Sequence, residues 1–252
     1  MSDAVTRRKR FYKAAEAAPV AGDGAAPDPA TPAGAGWTVL LDGRGLRTPA
    51  KAPLVVPGRA LARLIADEWA AQETHIAPET MPATKLANVV IDRVVPHRAQ
   101  IAAELAGYIG TDLVCYRADN PKELAALQAR HWDPLVDWAR TRYDIHLVTT
   151  TGLLAVDQPP ATVERLTRAI EAADPWRLAV LHGAVTTAGS VVIGLALAEA
   201  GIDAATAYDA AFADEHFQIA RWGEDAEQAE RLALLRRDLD DLARIRDALN
   251  AG

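Results

Sequence analysis

Six histidines, one cysteine and one acid stranded among apolar residues are the groups here from which chemistry could be built. None of His75, His97, His131, His146, His182 and His216 has a His or Cys partner at the three- or four-residue spacing of a helical metal site, so no metal is expected. Cys115 stands alone, which excludes an intramolecular disulfide and any CxxC redox or zinc motif and fits a reducing compartment. Its setting, Leu113-Val114-Cys115-Tyr116, reads as a small buried hydrophobe. No GxxxxGK[ST] phosphate loop and no GxSxG nucleophile elbow occur, and Gly43-Arg44-Gly45 lacks the third glycine of a dinucleotide fingerprint. It reads as a hairpin turn, and no cofactor is expected.

The stranded acid is Glu215. On a helix from Asp203 to Trp222, a step of about 100° per residue sets Tyr208, Phe212, Ile219 and Trp222 on one narrow stripe with Glu215 in its middle. Asp214, Gln218 and Arg221 line one flank. An acid in such a place needs a partner. It can meet an arginine of a neighbouring helix as a buried ion pair. Alternatively the stripe is an exposed partner-binding surface with aromatic anchors and a central acid. A catalytic acid of raised pKa is a third reading, although no second acid, base or nucleophile accompanies it at a supporting spacing.

Residues 14–36 are almost wholly Ala, Pro, Gly and Asp, a composition with too little apolar surface to offset ordering entropy, and read as a mobile loop. From Trp37 the pattern becomes short strands and turns: Trp37-Thr38-Val39-Leu40-Leu41, then Asp42-Gly43, then Leu46-Arg47-Thr48 and Leu54-Val55-Val56. Helical spacing follows over 58–73, Pro82 to Val95 and Pro96 to Ile109. Asn120-Pro121-Lys122-Glu123 opens a further helix as cap, first-turn proline and capping-box acid, and Pro134 should kink or restart it. Beyond about Thr149 the chain reads as an α-helical bundle, with Asp174-Pro175 and Asp203 as starts and Gly201 and Gly223 as stops. The expected fold is α+β: a strand-containing N-terminal domain over 1–95 and an α-helical domain over 96–252.

Leu178 to Ala198 carries no formal charge unless His182 is protonated, and by length could span a bilayer. Its polar Thr186, Thr187 and Ser190 and its glycines favour a buried central helix, so no membrane insertion is expected. The net charge of −7, with only five lysines among 27 basic residues, argues against a nucleic-acid partner. The N-terminal Arg7-Arg8-Lys9-Arg10-Phe11-Tyr12 lacks the apolar core of a secretory signal.

Several segments, taken in order, resemble one known family. They are Lys9-Arg10-Phe11-Tyr12-Lys13, Leu41-Asp42-Gly43-Arg44, Arg47-Thr48-Pro49, Glu68-Trp69, Met81-Pro82, Leu86-Ala87-Asn88 and Ile91-Asp92-Arg93. Downstream come Thr111-Asp112-Leu113-Val114-Cys115-Tyr116-Arg117, Trp132-Asp133-Pro134-Leu135, Asp214-Glu215-His216-Phe217-Gln218 and Arg221-Trp222-Gly223. The family is the F1 assembly chaperones that attend the alpha subunit of ATP synthase in mitochondria and some bacteria. The loop at 14–36 looks like a local expansion, and His216 stands where an acid is more usual.

The resemblance implies a two-domain α+β protein and an ATP-independent holdase, not an enzyme, whose partner is the unassembled alpha subunit until the beta subunit docks. Asp214 and Glu215 fall on the family's acidic functional position, and Asp214, Glu215, Gln218, Trp222 and Gly223 are the expected client-binding residues. A monomer is expected. With the family's first motif starting near Arg8, little room is left for a mitochondrial presequence; a bacterial cytoplasm is expected, with the mitochondrial matrix as the alternative. A helical interaction module with another client, or an enzyme using Glu215, are the competing readings.

Overall fold

The computed structural model describes residues 8–20, 36–151 and 156–251. It divides into two compact units, Met1–Pro96 with Asp247–Gly252, and His97–Arg246.

The first unit is built on an antiparallel sheet of β1 (Ala15–Pro19), β2 (Trp37–Leu41) and β3 (Arg44–Gly45), in that order. Ala15 stands opposite Leu41 and Pro19 opposite Trp37. This corrects the reading of 14–36 as one mobile loop: its first residues form a strand, and 21–35 lie outside the described residues. Alanines carry no visible alternation, so the strand is specified by what it docks on. The Asp42 carboxylate accepts from the Lys13 N–H at 3.0 Å and the Ala14 N–H at 2.9 Å, clipping the incoming chain to the hairpin turn. Those backbone donors, Ala14 foremost, hold its pKa below the usual carboxylate range.

Helix α1 (Arg59–Ala70) covers the sheet, burying Leu61 and Ile65 with Val39, Leu54 and Val56. Near its end Glu68 accepts from the Ala83 and Thr84 N–H groups at 2.6 and 2.8 Å. Those are unpaired first-turn donors of α2 (Pro82–Val89), so an acid from another helix supplies the missing cap. A five-residue π-helical stretch, Val90–Val94, runs on into α3 (Val95–Ala106), which is kinked at His97. Within the stretch Asp92 accepts from the Thr48 hydroxyl at 2.7 Å.

In the second unit, 3-10 turns at Gly107–Thr111 and Leu113–Cys115 lead into β4 (Tyr116–Arg117), which pairs in parallel with β5 (Thr150–Thr151). Helix α4 (Lys122–Tyr143) separates them in sequence. Its cap position is held by Pro121 in extended conformation, not by Asn120, and it passes Pro134 without a break. A proline inside a long packed helix removes one hydrogen bond, and burial of Trp132, Leu135 and Ala139 holds both sides of it in one rod. After α5 (Pro160–Ala172), Asp174 caps α6 (Pro175–Ala188) through the Trp176 N–H at 2.9 Å. Then come α7 (Val191–Ala198), α8 (Ala204–Ala211), capped by Asp203 through Thr206 N–H at 2.8 Å, α9 (Ala213–Trp222) and α10 (Ala226–Asn250). The fold is thus α+β, as expected.

The uncharged stretch 178–198 is buried, as two helices and not one. They turn at Gly189, and α7 lies so close to α6 that a Cβ on Gly194 would come within 2.5 Å of Val185 Cγ2. Among the described residues no helix is long and apolar enough to cross a membrane. Asp112 joins this pair to the preceding turn. It is 1% exposed and accepts from Ser190 Oγ at 2.6 Å, Val192 N at 3.0 Å and Val114 N at 3.2 Å. Burial outweighs those donors and pushes its pKa up to about 6.

Candidate functional site

The helix expected from Asp203 to Trp222 is two helices, broken at Phe212 (φ −117°, ψ 26°). The cause lies on α4. The indole N–H of the buried Trp132 donates to the Ala210 carbonyl at 2.7 Å, occupying the acceptor that a continuous helix would present to the Asp214 N–H. The break separates the predicted stripe. Tyr208 and Phe212 are buried, with ring centroids 5.1 Å apart, whereas Trp222 is 72% exposed.

Asp214 and Glu215, adjacent in the first turn of α9, have different neighbours. Asp214 accepts from Gln128 Nε2 at 2.7 Å, and the same buried amide accepts from the Ala118 N–H at 2.7 Å through its oxygen. This links α9 to α4 and to the strand residue Arg117's neighbour. Glu215 instead meets Arg231 of α10 at 3.4 Å, with side-chain exposures of 28% and 54%. A half-exposed pair of this kind contributes about 0–1 kcal/mol, because water solvates both ions nearly as well as they solvate each other.

One turn further on, Gln218 is exposed, and Trp222 closes the helix with the Arg221 guanidinium 5.9 Å from its ring. Gly223 (φ 89°, ψ 164°) then turns the chain toward α10 in a conformation open essentially only to glycine. Glu215, Gln218 and Trp222 therefore offer an acid, an amide and a large indole on solvent-accessible positions of a single short helix, and Gly223, whose N–H donates to the Ile219 carbonyl at 2.8 Å, shapes its exit. Leu234 of α10, 49% exposed, adds apolar surface within the same unit.

The neighbours that set this helix in place, Gln128, Trp132 and Arg231, were not among the residues anticipated from sequence. Trp132 lay in a quoted motif, but nothing in one sequence says that its indole faces Ala210. The motif residues Arg117 and Asp133 form an ion pair at 2.7 Å, with the guanidinium 5.2 Å from the Trp132 ring centre. His216 packs its ring 5.1 Å from Tyr208, and burial holds the nearby His131 below the usual histidine range. Among the described residues no group of three or more His, Cys, Asp or Glu side chains is arranged to hold a metal. Cys115 is buried, and desolvation pushes its thiol up to about 12, which leaves it a neutral packing group.

The model of the ATP12 chaperone protein family matches residues 9–140. The crystal structure of Atp12 from Paracoccus denitrificans superposes with a TM-score of 0.87 at 40% identity, over 96% of this chain and 98% of that one. This chain belongs to the ATP12 chaperone family. An aspartate-to-lysine mutant of the P. denitrificans protein matches equally well, with a TM-score of 0.87 at 39% identity over 96% of this chain and 98% of that one. "Protein atp12, mitochondrial" of Schizosaccharomyces pombe is 25% identical over 204 residues, 75% of this chain and 70% of its own length. The resemblance to F1 assembly chaperones read from the motifs is borne out, and ATP12 relatives include both a bacterial and a mitochondrial protein.

Proposed function

We propose that this F1 assembly chaperone acts as an ATP-independent holdase for the unassembled alpha subunit of F-type ATP synthase, and that the outer face of α9 is where the client sits. The observation that carries the reading is the exposure of Trp222, 72%, at the far end of the helix whose first turn carries an acid held only by a weak ion pair. A large indole left in water is a characteristic anchor of protein interfaces. A subunit awaiting its neighbours presents apolar surface that aggregates unless covered, and the cover must come away when the beta subunit arrives.

The Glu215–Arg231 pair suits reversible exchange. A cationic group on the client can replace Arg231 at little cost, since the internal pair is worth so little. The Gln218 amide and the Gly223 carbonyl supply neutral hydrogen-bonding groups, while the Gly223 N–H stays with Ile219. Asp214, engaged by Gln128, acts in this reading by fixing α9 and not by touching the client. Independence from ATP is supported by the lack of a phosphate-loop motif in the sequence. A non-enzymatic role is supported by the partner of Glu215, which is an arginine of α10 and not a nucleophile or a second acid. The bacterial cytoplasm is the proposed compartment.

The test uses isolated alpha subunit without nucleotide. Suppressed aggregation, a co-eluting complex, and release on adding beta subunit are expected; free aggregation of the alpha subunit in the presence of this chain defeats the reading.

A further inference from the structure

We propose a second partner-binding site on the first unit: a groove that takes an extended acidic segment of a client protein, with an apolar side chain of that segment seated on its aromatic floor. This rests on the chaperone reading above only in taking the occupant to be a protein.

The groove has a volume of about 710 Å³, within the range of specific ligand sites. Phe11, Tyr12 and Trp69 line it as a run of edge-to-face rings, with successive centroids 5.4 and 5.5 Å apart. The Tyr12 hydroxyl donates to the Trp69 carbonyl at 2.7 Å, which fixes the two rings that form the floor. Phe11, by contrast, is 55% exposed, one of the few large apolar side chains left in water among the described residues. Fixed aromatic surface beside a half-exposed phenyl ring favours an apolar side chain against them.

The rim selects the charge. Arg8, Arg44 and Arg47 line the groove and are exposed, in a chain whose net charge is −7. Among the described residues none of the three forms an ion pair with a carboxylate. The Arg8 guanidinium lies 4.4 Å from the Phe11 ring centre, and Arg47 donates only to the Lys51 carbonyl, at 2.8 Å. The one acid in the lining, Asp42, is directed to the Lys13 and Ala14 N–H groups and forms no ion pair with the three arginines, so one negative charge stands against three positive ones there. Three guanidinium groups without an ion-pair partner, around an aromatic floor, are complementary to carboxylates flanking a Leu or Phe side chain. A nucleotide fits less well: its phosphates call for a convergent backbone nest or a helix N-terminus, and the lining comes from the N-terminal segment, the β2–β3 hairpin and the end of α1.

The experiment titrates the full chain into the fluorescein-labelled peptide Glu-Asp-Leu-Phe-Asp-Glu and reads anisotropy at low and at physiological salt. Saturable binding that weakens with salt is expected. The doubly charge-reversed variant Arg44→Glu/Arg47→Glu should lose about tenfold or more in affinity, Phe11→Ala should lose binding at both salts, and Trp222→Ala should lose none. All altered side chains are solvent-exposed, so unchanged thermal unfolding verifies the fold. Equal binding of the peptide with Lys at every acidic position, indifference to the arginine reversals, or displacement by ATP at the same site overturns the proposal. The two readings fail separately. Loss of alpha-subunit binding in Glu215→Lys with the peptide titration unchanged leaves the groove standing, and failure of the peptide titration leaves the holdase test untouched.

Discussion

Asp112 and Glu215 are both acids at the first turn of a helix or against one, and they sit in opposite circumstances. Asp112 is enclosed and satisfied by a hydroxyl and backbone N–H groups, whereas Glu215 is partly in water and meets a single, half-exposed arginine at 3.4 Å. The enclosed acid ties α7 to the turn before β4 and cannot be reached by any partner. The open one holds nothing together that water could not hold. In this molecule the strongest polar interactions therefore mark architecture, and the weakest mark the surface proposed to exchange partners. Asp42, Glu68 and Asp92, acids of the N-terminal motifs, belong with Asp112: each accepts from backbone or hydroxyl donors of a neighbouring segment.

Breaking the architectural side should have the largest effect. Asp112→Ala leaves Ser190, Val192 and Val114 donors buried without an acceptor and is expected to cost roughly 3–5 kcal/mol in urea unfolding. Gly223→Ala forces a Cβ into a conformation essentially reserved for glycine and should cost about 1–3 kcal/mol, although open space surrounds the position. A loss confined to the α9–α10 exit, seen as faster hydrogen exchange there, would sharpen the contrast; an unchanged melting curve would blunt it.

Proton linkage separates the two kinds of acid next. The folded pKa of Asp112, about 6, lies above its ordinary 3.8, so the folded state binds the proton more tightly. Its contribution to stability should accordingly rise as pH falls through about 6 and level off below 4, and Asp112→Asn should remove that slope. Asp42 and Asp203 act in the reverse sense, their lowered pKa values giving stability present above the ordinary carboxylate range and lost on further acidification. Unfolding free energy measured across pH 7 to 3 in wild type and Asp112→Asn distinguishes these contributions.

The smallest stability effects belong to the open face. Glu215→Lys should alter unfolding by less than about 1 kcal/mol while markedly weakening alpha-subunit binding, since the change removes only a solvated pair. Trp222→Ala should leave stability within about 0.5 kcal/mol and weaken the client complex by about 2 kcal/mol in calorimetry. Should either variant unfold like Asp112→Ala, the division between architectural and exchangeable contacts fails.

Local chemistry made much of this legible from residue order alone. The helix starts at Asp174 and Asp203, the stop at Gly223, the strand Trp37–Leu41 and the buried run 178–198 follow from capping groups, turn residues and apolar content that act within a few residues of one another. The family, too, was written in the order of its motifs. What the sequence alone could not decide were matters settled by groups far apart along the chain. Ala15–Pro19 becomes a strand because Leu41 and Asp42 are there to receive it, and one predicted helix becomes two because Trp132 takes the Ala210 carbonyl. That break lies between the buried part of the stripe, Tyr208 and Phe212, and exposed Trp222. A helical wheel assumes an unbroken backbone, and only tertiary hydrogen bonding determines where the backbone is interrupted.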